Sequence, residues 1–379
     1  MKCDKKSTEK TKEQTKQLRN LNYIVEPLLI WFDANKRSLP WREEVSPYRV
    51  WVSEIMLQQT RVEAVKPYFE RFITQLPDIE ALAKAKEERL LKLWEGLGYY
   101  NRVRNMQKAA VQIMEEHGGN MPSEYDELLQ LKGIGGYTAG AIASIAFQKK
   151  VAAVDGNVLR VLSRLTMDGD DIADTKVKKR VEKELEQIMP ERAGDFNQAL
   201  MELGAIVCLP NGEPKCAQCP WRGFCQAFLE ERIEEFPYKS ALKKRSIEKK
   251  TVLIIRDGKK LLLHKRPSTG LLAGMYEFPM MEGWHNSDSI VQYVRNLGCE
   301  PLRLEPVSEA KHIFTHKEWH MKGYIVRTQA FDYNGGYVPQ EGYFLAEPEK
   351  IKEEYPIPSA FGAYTPYADV KLTQEYIRE

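Results

Sequence analysis

Between Glu230 and Lys250 the chain changes its hydrophobic period, and that change constrains the fold more than any single motif. Upstream, from Asn22 to about Phe228, the period is helical. Ile24, Leu28 and Trp31 share one face, and Ser46-Pro47 supplies an N-cap and a first-turn proline to a helix over Tyr48–Gln59. Amphipathic runs over Glu87–Glu95, Arg102–Glu116, Tyr137–Phe147 and Lys176–Met189 predict more helices. Downstream, Thr251–Ile255, an Asp257-Gly258 turn and Leu261–His264 predict a hairpin, and His320–Thr328 a further strand. The boundary runs from Glu230, Glu231, Glu234 and Glu235 to Lys243, Lys244, Arg245, Lys249 and Lys250, with little apolar content. The expected protein is therefore multidomain: an all-α domain over 21–229, a charged linker over 230–249 and an α+β domain over 250–379. A polar, Lys-rich lead-in over 1–20 is expected to be disordered.

With 379 residues and 43% hydrophobic content, the chain is long enough to bury proper cores without staples. It has no apolar run of bilayer length and no apolar stretch of a signal peptide, so membrane and secreted readings are disfavoured. Lys and Arg number 56 against 54 Asp and Glu, so any nucleic-acid surface must come from local clustering and not from bulk charge.

Four of the six cysteines crowd into Cys208-x7-Cys216-x2-Cys219-x5-Cys225, while Cys3 and Cys299 stand alone. That distribution predicts a metal site in a reducing cytoplasm, not a disulfide framework. Four thiolates suit either a tetrahedral zinc or a four-iron, four-sulfur cluster, and the single Cys-x2-Cys pair leans toward the cluster.

Leu131-Lys132-Gly133-Ile134-Gly135-Gly136-Tyr137-Thr138 lies between two helical patterns. Its glycines let backbone N–H groups converge on an anion at the start of the second helix, so Gly133 and Gly135 are candidates to hold a phosphate. A tight turn between packed helices is the competing reading. A dinucleotide fingerprint is excluded, because the motif follows a helix and Thr138 takes the third glycine position.

Two carboxylates have contrasting surroundings. Glu54 sits in Val50-Trp51-Val52-Ser53-Glu54-Ile55-Met56-Leu57, apolar almost all round, where desolvation raises its pKa and suits a general acid. Asp155 follows Val151–Val154 and opens a helix, where it is expected to stay ionised. One neutral acid and one anion suit cleavage through an oxocarbenium-like state; a satisfied buried acid and a plain N-cap are the alternatives. Gly96-Leu97-Gly98-Tyr99-Tyr100-Asn101-Arg102-Val103-Arg104 adds flexible glycines, two rings and two cations, the mix of a loop that enters a base stack. Gln58-Gln59-Thr60-Arg61 offers polar reach beside Glu54.

Taken together with Leu39-Pro40-Trp41-Arg42 and Val154-Asp155-Gly156-Asn157, these motifs resemble the helix-hairpin-helix DNA glycosylases, and within them the adenine-specific branch. The resemblance runs from about Asn22 into the C-terminal region and implies an all-α glycosylase domain followed by an α+β, Nudix-like domain. It implies base excision repair: hydrolytic removal of adenine opposite 8-oxoguanine or guanine in double-stranded DNA; nothing in the sequence suggests more than a monomer. Glu54 then matches the acid that protonates adenine, and Asp155 the carboxylate that stabilises the sugar cation. Tyr137 stands where strand-cleaving relatives carry a Schiff-base lysine, which implies base removal without efficient lyase action. Trp41, Arg42, Gln59, Tyr99, Gly133 and Gly135 match residues that hold the DNA or the flipped base. Cys208, Cys216, Cys219 and Cys225 match the ligands of a 4Fe-4S cluster, with one residue more than the family's usual six between the first two. Phe314-Thr315-His316 matches a Phe-Ser-His turn that reads 8-oxoguanine. The stretch Ser289–Leu297 holds no acidic residue, which disfavours magnesium-dependent Nudix hydrolysis. The rivals are a bifunctional endonuclease III-like glycosylase/lyase, opposed by Tyr137, and a non-catalytic DNA-binding module, opposed by the buried Glu54.

Overall fold

A computed structural model of the chain describes residues 19–241, 244–328 and 342–370. Its first helices are α1 (Val25–Asn35), α2 (Pro40–Glu43), α3 (Pro47–Leu57), α4 (Val62–Gln75), α5 (Ile79–Lys84), α6 (Glu87–Leu93) and α7 (Asn101–Glu116). There follow α8 (Tyr125–Gln130), α9 (Gly136–Phe147), α10 (Gly156–Thr166), α11 (Thr175–Glu186), α12 (Ala193–Ile206) and α13 (Gln226–Leu229). The C-terminal part holds α14 (Ser287–Asn296) and α15 (Pro348–Glu354) with strands β1 (Ser246–Asp257), β2 (Lys260–Lys265), β3 (Tyr276–Glu277), β4 (Met280–Glu282), β5 (Pro301–Ile313), β6 (Lys317–Thr328) and β7 (Tyr343–Ala346). Among the described residues no helix is long and apolar enough to cross a membrane.

The chain divides into two compact units, Met1–Glu54 with Met121–Ala241, and Ile55–Asn120 with Leu242–Glu379. In the first, Leu28, Phe32, Val158, Leu162, Phe196, Leu200 and Trp221 form one buried cluster, each large side chain contributing about 1.5–3 kcal/mol by leaving water. Trp221 of the cysteine loop donates its indole N–H to Ile24 O at 3.0 Å, fastening that loop to α1. A Cβ at Gly140 would stand 2.3 Å from Ala152 O, so only glycine lets α9 approach the extended stretch that leads into α10. Buried Asn197 of α12 holds the same stretch, donating to Val151 O at 2.8 Å and accepting from Ala153 N at 3.1 Å. These contacts fix where Asp155 emerges.

The second unit carries a mixed sheet of order β3-β2-β1-β6-β5, with β4 on β1 and β7 on β2. The expected hairpin is present: Arg256 pairs with Leu261 and Asp257 with Lys260 across the Asp257-Gly258 turn. β1 also runs parallel to β6 from Ser246↔Lys317 to Arg256↔Arg327. α14 packs Ile290 and Val294 against Leu253, Ile255 and Leu262.

Local differences from the sequence expectation have physical causes. β1 begins at Ser246, inside the charged stretch, because its exposed first residues gain a ladder from β6. Before it, Phe236 is buried, Arg164 Nε donates to Phe236 O at 2.9 Å and Ile172 N to Tyr238 O at 3.1 Å, so residues up to 238 pack on the first unit. Of the lead-in expected to be disordered, residues 1–18 lie outside the described set. Arg19 does not follow that expectation: it pairs with Asp168 at 2.9 Å and with the buried Glu184. α14 starts two residues earlier than expected and so includes the exposed Asp288, but no glutamate.

Candidate active site

α3 carries Glu54 into the interior because Trp51, Val52 and Met56 beside it are fully buried. Its start is as expected: Ser46 Oγ accepts from Arg49 N at 3.2 Å, with Pro47 as first residue. Glu54 is 6% exposed, and Tyr137, in the first turn of α9, donates its phenol to Glu54 Oε2 at 2.5 Å. Burial pushes the Glu54 carboxyl up to about 7, the charge of Asp155 adds to the rise, and the Tyr137 bond and Arg42 oppose it. Burial together with Glu54 and Asp155 holds the Tyr137 phenol well above its ordinary value, so it remains a neutral donor.

Asp155 caps α10: Oδ1 accepts from Val158 N and Oδ2 from Asn157 Nδ2, each at 2.8 Å. Asp155 is expected to stay ionised; its surroundings shift its carboxyl without showing it neutral. Burial raises it, against the cap bonds, Asn157 and Arg160. Glu54, Tyr137 and Asp155, scattered in the chain, thus come together in one unit and act on each other electrostatically.

Arg42 extends the constellation. It donates to Glu202 Oε2 at 3.0 Å, Gln198 Oε1 at 2.9 Å and Arg37 O at 3.1 Å. Burial alone would raise Glu202, but Arg37 and Arg42 bring it below the usual carboxylate range. Glu202 was not anticipated, although it carries the same signal as Glu54: an acid within an apolar helical run, Leu200-Met201-Glu202-Leu203. Trp41 is 6% exposed, so its ring is part of the interior and not of an open surface.

At the glycine hairpin Gly133 has φ +79°, which favours glycine, and buried Ile134 anchors the turn. Gly135 is different. It is exposed, its φ of −98° suits any residue, and a Cβ there would meet nothing within 4 Å. Internal packing therefore does not require glycine at 135; close approach by an outside group would.

In the second unit Gln59 and Tyr99 are both exposed and both have positive φ, 60° and 49°. Of the two rings and two cations of the 96–104 loop, Tyr99 faces outward, whereas the other three are engaged within the unit. Tyr100 is 5% exposed and Arg104 is paired with Glu87 Oε1 at 2.6 Å. Arg102 serves the backbone: it donates to Ile55 O, Met56 O and Gln58 O at the end of α3, and to Leu97 O and Gly98 O. Desolvation lowers its pKa to about 10. One half-buried guanidinium thereby fixes the loop before Gln59 to the loop before Tyr99. Phe314-Thr315-His316 turns between β5 and β6, closed by Phe314 N to Lys317 O at 2.8 Å, with Phe314 packed edge-on against Trp319 and Thr315 and His316 exposed. Thr315 Oγ1 lies 3.4 Å from Tyr99 Oη.

Cys208, Cys216, Cys219 and Cys225 are free thiols lining one cavity with Arg164, Trp221 and Phe228. Burial pushes the Cys219 thiol up to about 12, and its three neighbours add to the rise. Four thiolates in this pocket need a cationic centre, and the donor set fits an iron-sulfur cluster. Arg164 Nη1 reaches Cys208 Sγ at 3.4 Å, and Arg160 joins Cys208 O to Asn157 Oδ1 at 3.1 and 3.0 Å.

The chain is similar to known proteins along most of its length. Residues 52–191 match the HhH-GPD superfamily of base excision DNA repair proteins, and residues 251–365 match the NUDIX domain. The adenine DNA glycosylase of Mus musculus is 38% identical over 349 residues, covering 76% of this chain and 67% of its own. That of Buchnera aphidicola subsp. Acyrthosiphon pisum (strain APS) is 33% identical over 308 residues, covering 80% and 87%. The solved structure of a thermostable thymine-DNA glycosylase is 28% identical, covers 55% of this chain and 96% of its own, and has a TM-score of 0.49.

Proposed function

The chain belongs to the adenine DNA glycosylases, and on that premise we propose that it excises adenine opposite 8-oxoguanine or guanine without efficient strand cleavage. The observation that carries the proposal is the buried Glu54, raised to about 7, with Tyr137 bonded to it. Glu54 delivers its proton to N7 of a flipped adenine; the C1′–N9 bond then breaks, adenine leaves with the bonding electrons, and positive charge develops on the sugar. Asp155 faces that charge. Water adds at C1′ with its proton passing to the Glu54 carboxylate, leaving an abasic site. Tyr137 orients Glu54, and a phenol, having no amine nitrogen, cannot form the imine that strand cleavage through a lysine requires.

Gln59 and Tyr99 are assigned to the space the flipped base leaves, Trp41 and Arg42 to the wall of the base pocket, and Gly133 and Gly135 to a backbone phosphate. Cys208, Cys216, Cys219 and Cys225 would hold a 4Fe-4S cluster. When bound it supplies a rigid cross-link of the loop that follows α12. Gly135→Ala tests the phosphate role: duplex affinity should fall several-fold by fluorescence anisotropy, with the melting temperature within about 3 °C of wild type. Unchanged affinity would return the hairpin to a plain turn.

Phe314, Thr315 and His316 are assigned to the 8-oxoguanine opposite the adenine. Thr315→Ala should lower the ratio of single-turnover rates, adenine opposite 8-oxoguanine over adenine opposite guanine, by about fivefold or more, the loss of one or two hydrogen bonds. An unaltered ratio would leave 314–316 as only a turn.

A further inference from the structure

Glu95 is 1% exposed and stands directly before the Gly96–Tyr99 loop. Its Oε1 accepts the Ile357 backbone N–H at 2.8 Å, and its Oε2 meets Lys92 Nζ at 2.9 Å. Lys92 in turn donates to Ile351 O at 3.1 Å and Tyr355 O at 3.3 Å, at the C-terminal end of α15, where a cation is favoured. Just beyond the same loop, Arg104 bonds both Glu87 and the Ala273 carbonyl, and Lys265 reaches Glu88 at 3.1 Å. The α6–α7 hairpin is thus held to the sheet domain on both sides of Tyr99. At the loop's tip lies Thr315 of the lesion-reading turn.

Burying a carboxylate is costly unless directional partners return the loss, and leaving one of them out strands a charge. An apolar contact would join these elements at lower cost but would let them slide. A carboxylate bonded at once to a backbone N–H 262 residues away and to a lysine that caps α15 fixes both distance and register.

We propose that the Glu95–Lys92 pair keys the lesion-reading turn to the Tyr99 loop, so that contact of 314–316 with 8-oxoguanine sets where Tyr99 enters the duplex. Glu95 and Lys92 are positioning residues for specificity; neither touches the adenine. The inference rests on the roles given above to Tyr99 and Thr315.

The test compares single-turnover rates on adenine opposite 8-oxoguanine and opposite guanine for wild type, Glu95→Ala, Lys92→Met, Thr315→Ala and the Glu95→Ala/Thr315→Ala double variant. Glu95→Ala and Lys92→Met should each lower the ratio at least about fivefold, with the rate opposite guanine within about twofold of wild type. The double variant should match Thr315→Ala alone, because residues acting through one route are not additive. Equal losses on both substrates would mark Glu95 as merely structural and overturn the inference. Lys92, partly exposed, decides the matter if Glu95→Ala does not fold: a cooperatively melting Lys92→Met protein with the full ratio overturns it. Loss of preference in Thr315→Ala but not in Lys92→Met would overturn this inference alone, whereas a wild type with no preference would overturn the lesion-reading role and the inference with it.

Discussion

Glu54→Gln is expected to slow single-turnover adenine excision by roughly 10²–10⁴-fold, the usual worth of a general acid, while duplex affinity stays within about twofold. Glutamine keeps the shape and still accepts the Tyr137 phenol through its carbonyl oxygen, so the pocket is preserved and only the transferable proton is lost. The same carboxyl sets a pH dependence. Wild-type kcat/KM should fall as pH rises through about 7, where Glu54 loses the proton it must donate.

Stability follows with a defined sign. The folded carboxyl titrates near 7 and the unfolded one near 4.5, so between these values the native state binds more protons than the unfolded state. Stability is therefore full below about 4.5 and declines as pH rises through 7, by on the order of 3 kcal/mol in total. Glu54→Gln removes this dependence. The inactive variant should melt above wild type at pH 8 and lose that advantage at pH 4.5; a constant difference between the two melting curves at both pH values would contradict a buried, protonated Glu54.

Asp155→Asn is expected to lower excision by roughly 10²–10³-fold, since it removes the anion that faces the developing sugar cation. Asparagine keeps an oxygen for the Val158 N–H, and a cap of this type is worth only about 1 kcal/mol, so the melting temperature should move by a few degrees at most. Activity close to wild type would reduce Asp155 to a helix cap. Collapse of the fold would show that its bonds to Val158 and Asn157 matter more than its charge.

Much of this site was legible because it depends on local chemistry. An acid in an apolar helix is conspicuous, and Ser46-Pro47 and the Asp257-Gly258 turn act over a few residues. Desolvation of Asp155 was not legible, since it arises from tertiary neighbours and overrides a cap that would lower the pKa. Nor was the duty of Arg102, counted as one of two cations of a loop suited to a base stack, which closes backbone carbonyls from two loops. β5 was not anticipated; Pro301 and Pro306 are poor strand formers, tolerated because β5 lies at the sheet edge. Glu202 carried the same signal as Glu54, but the arginines it binds lie far away in the chain, as does the Ile357 N–H that Glu95 accepts.

The most direct test is a single-turnover reaction on duplex DNA with adenine opposite 8-oxoguanine, each sample divided into alkali-treated and untreated halves, with Glu54→Gln alongside. Strand breaks in wild type only after alkali, and none above background in Glu54→Gln at the same times, are the predicted result. Breaks without alkali would contradict the role given to Tyr137, and breaks in Glu54→Gln at the wild-type rate would contradict the acid at the centre of the account.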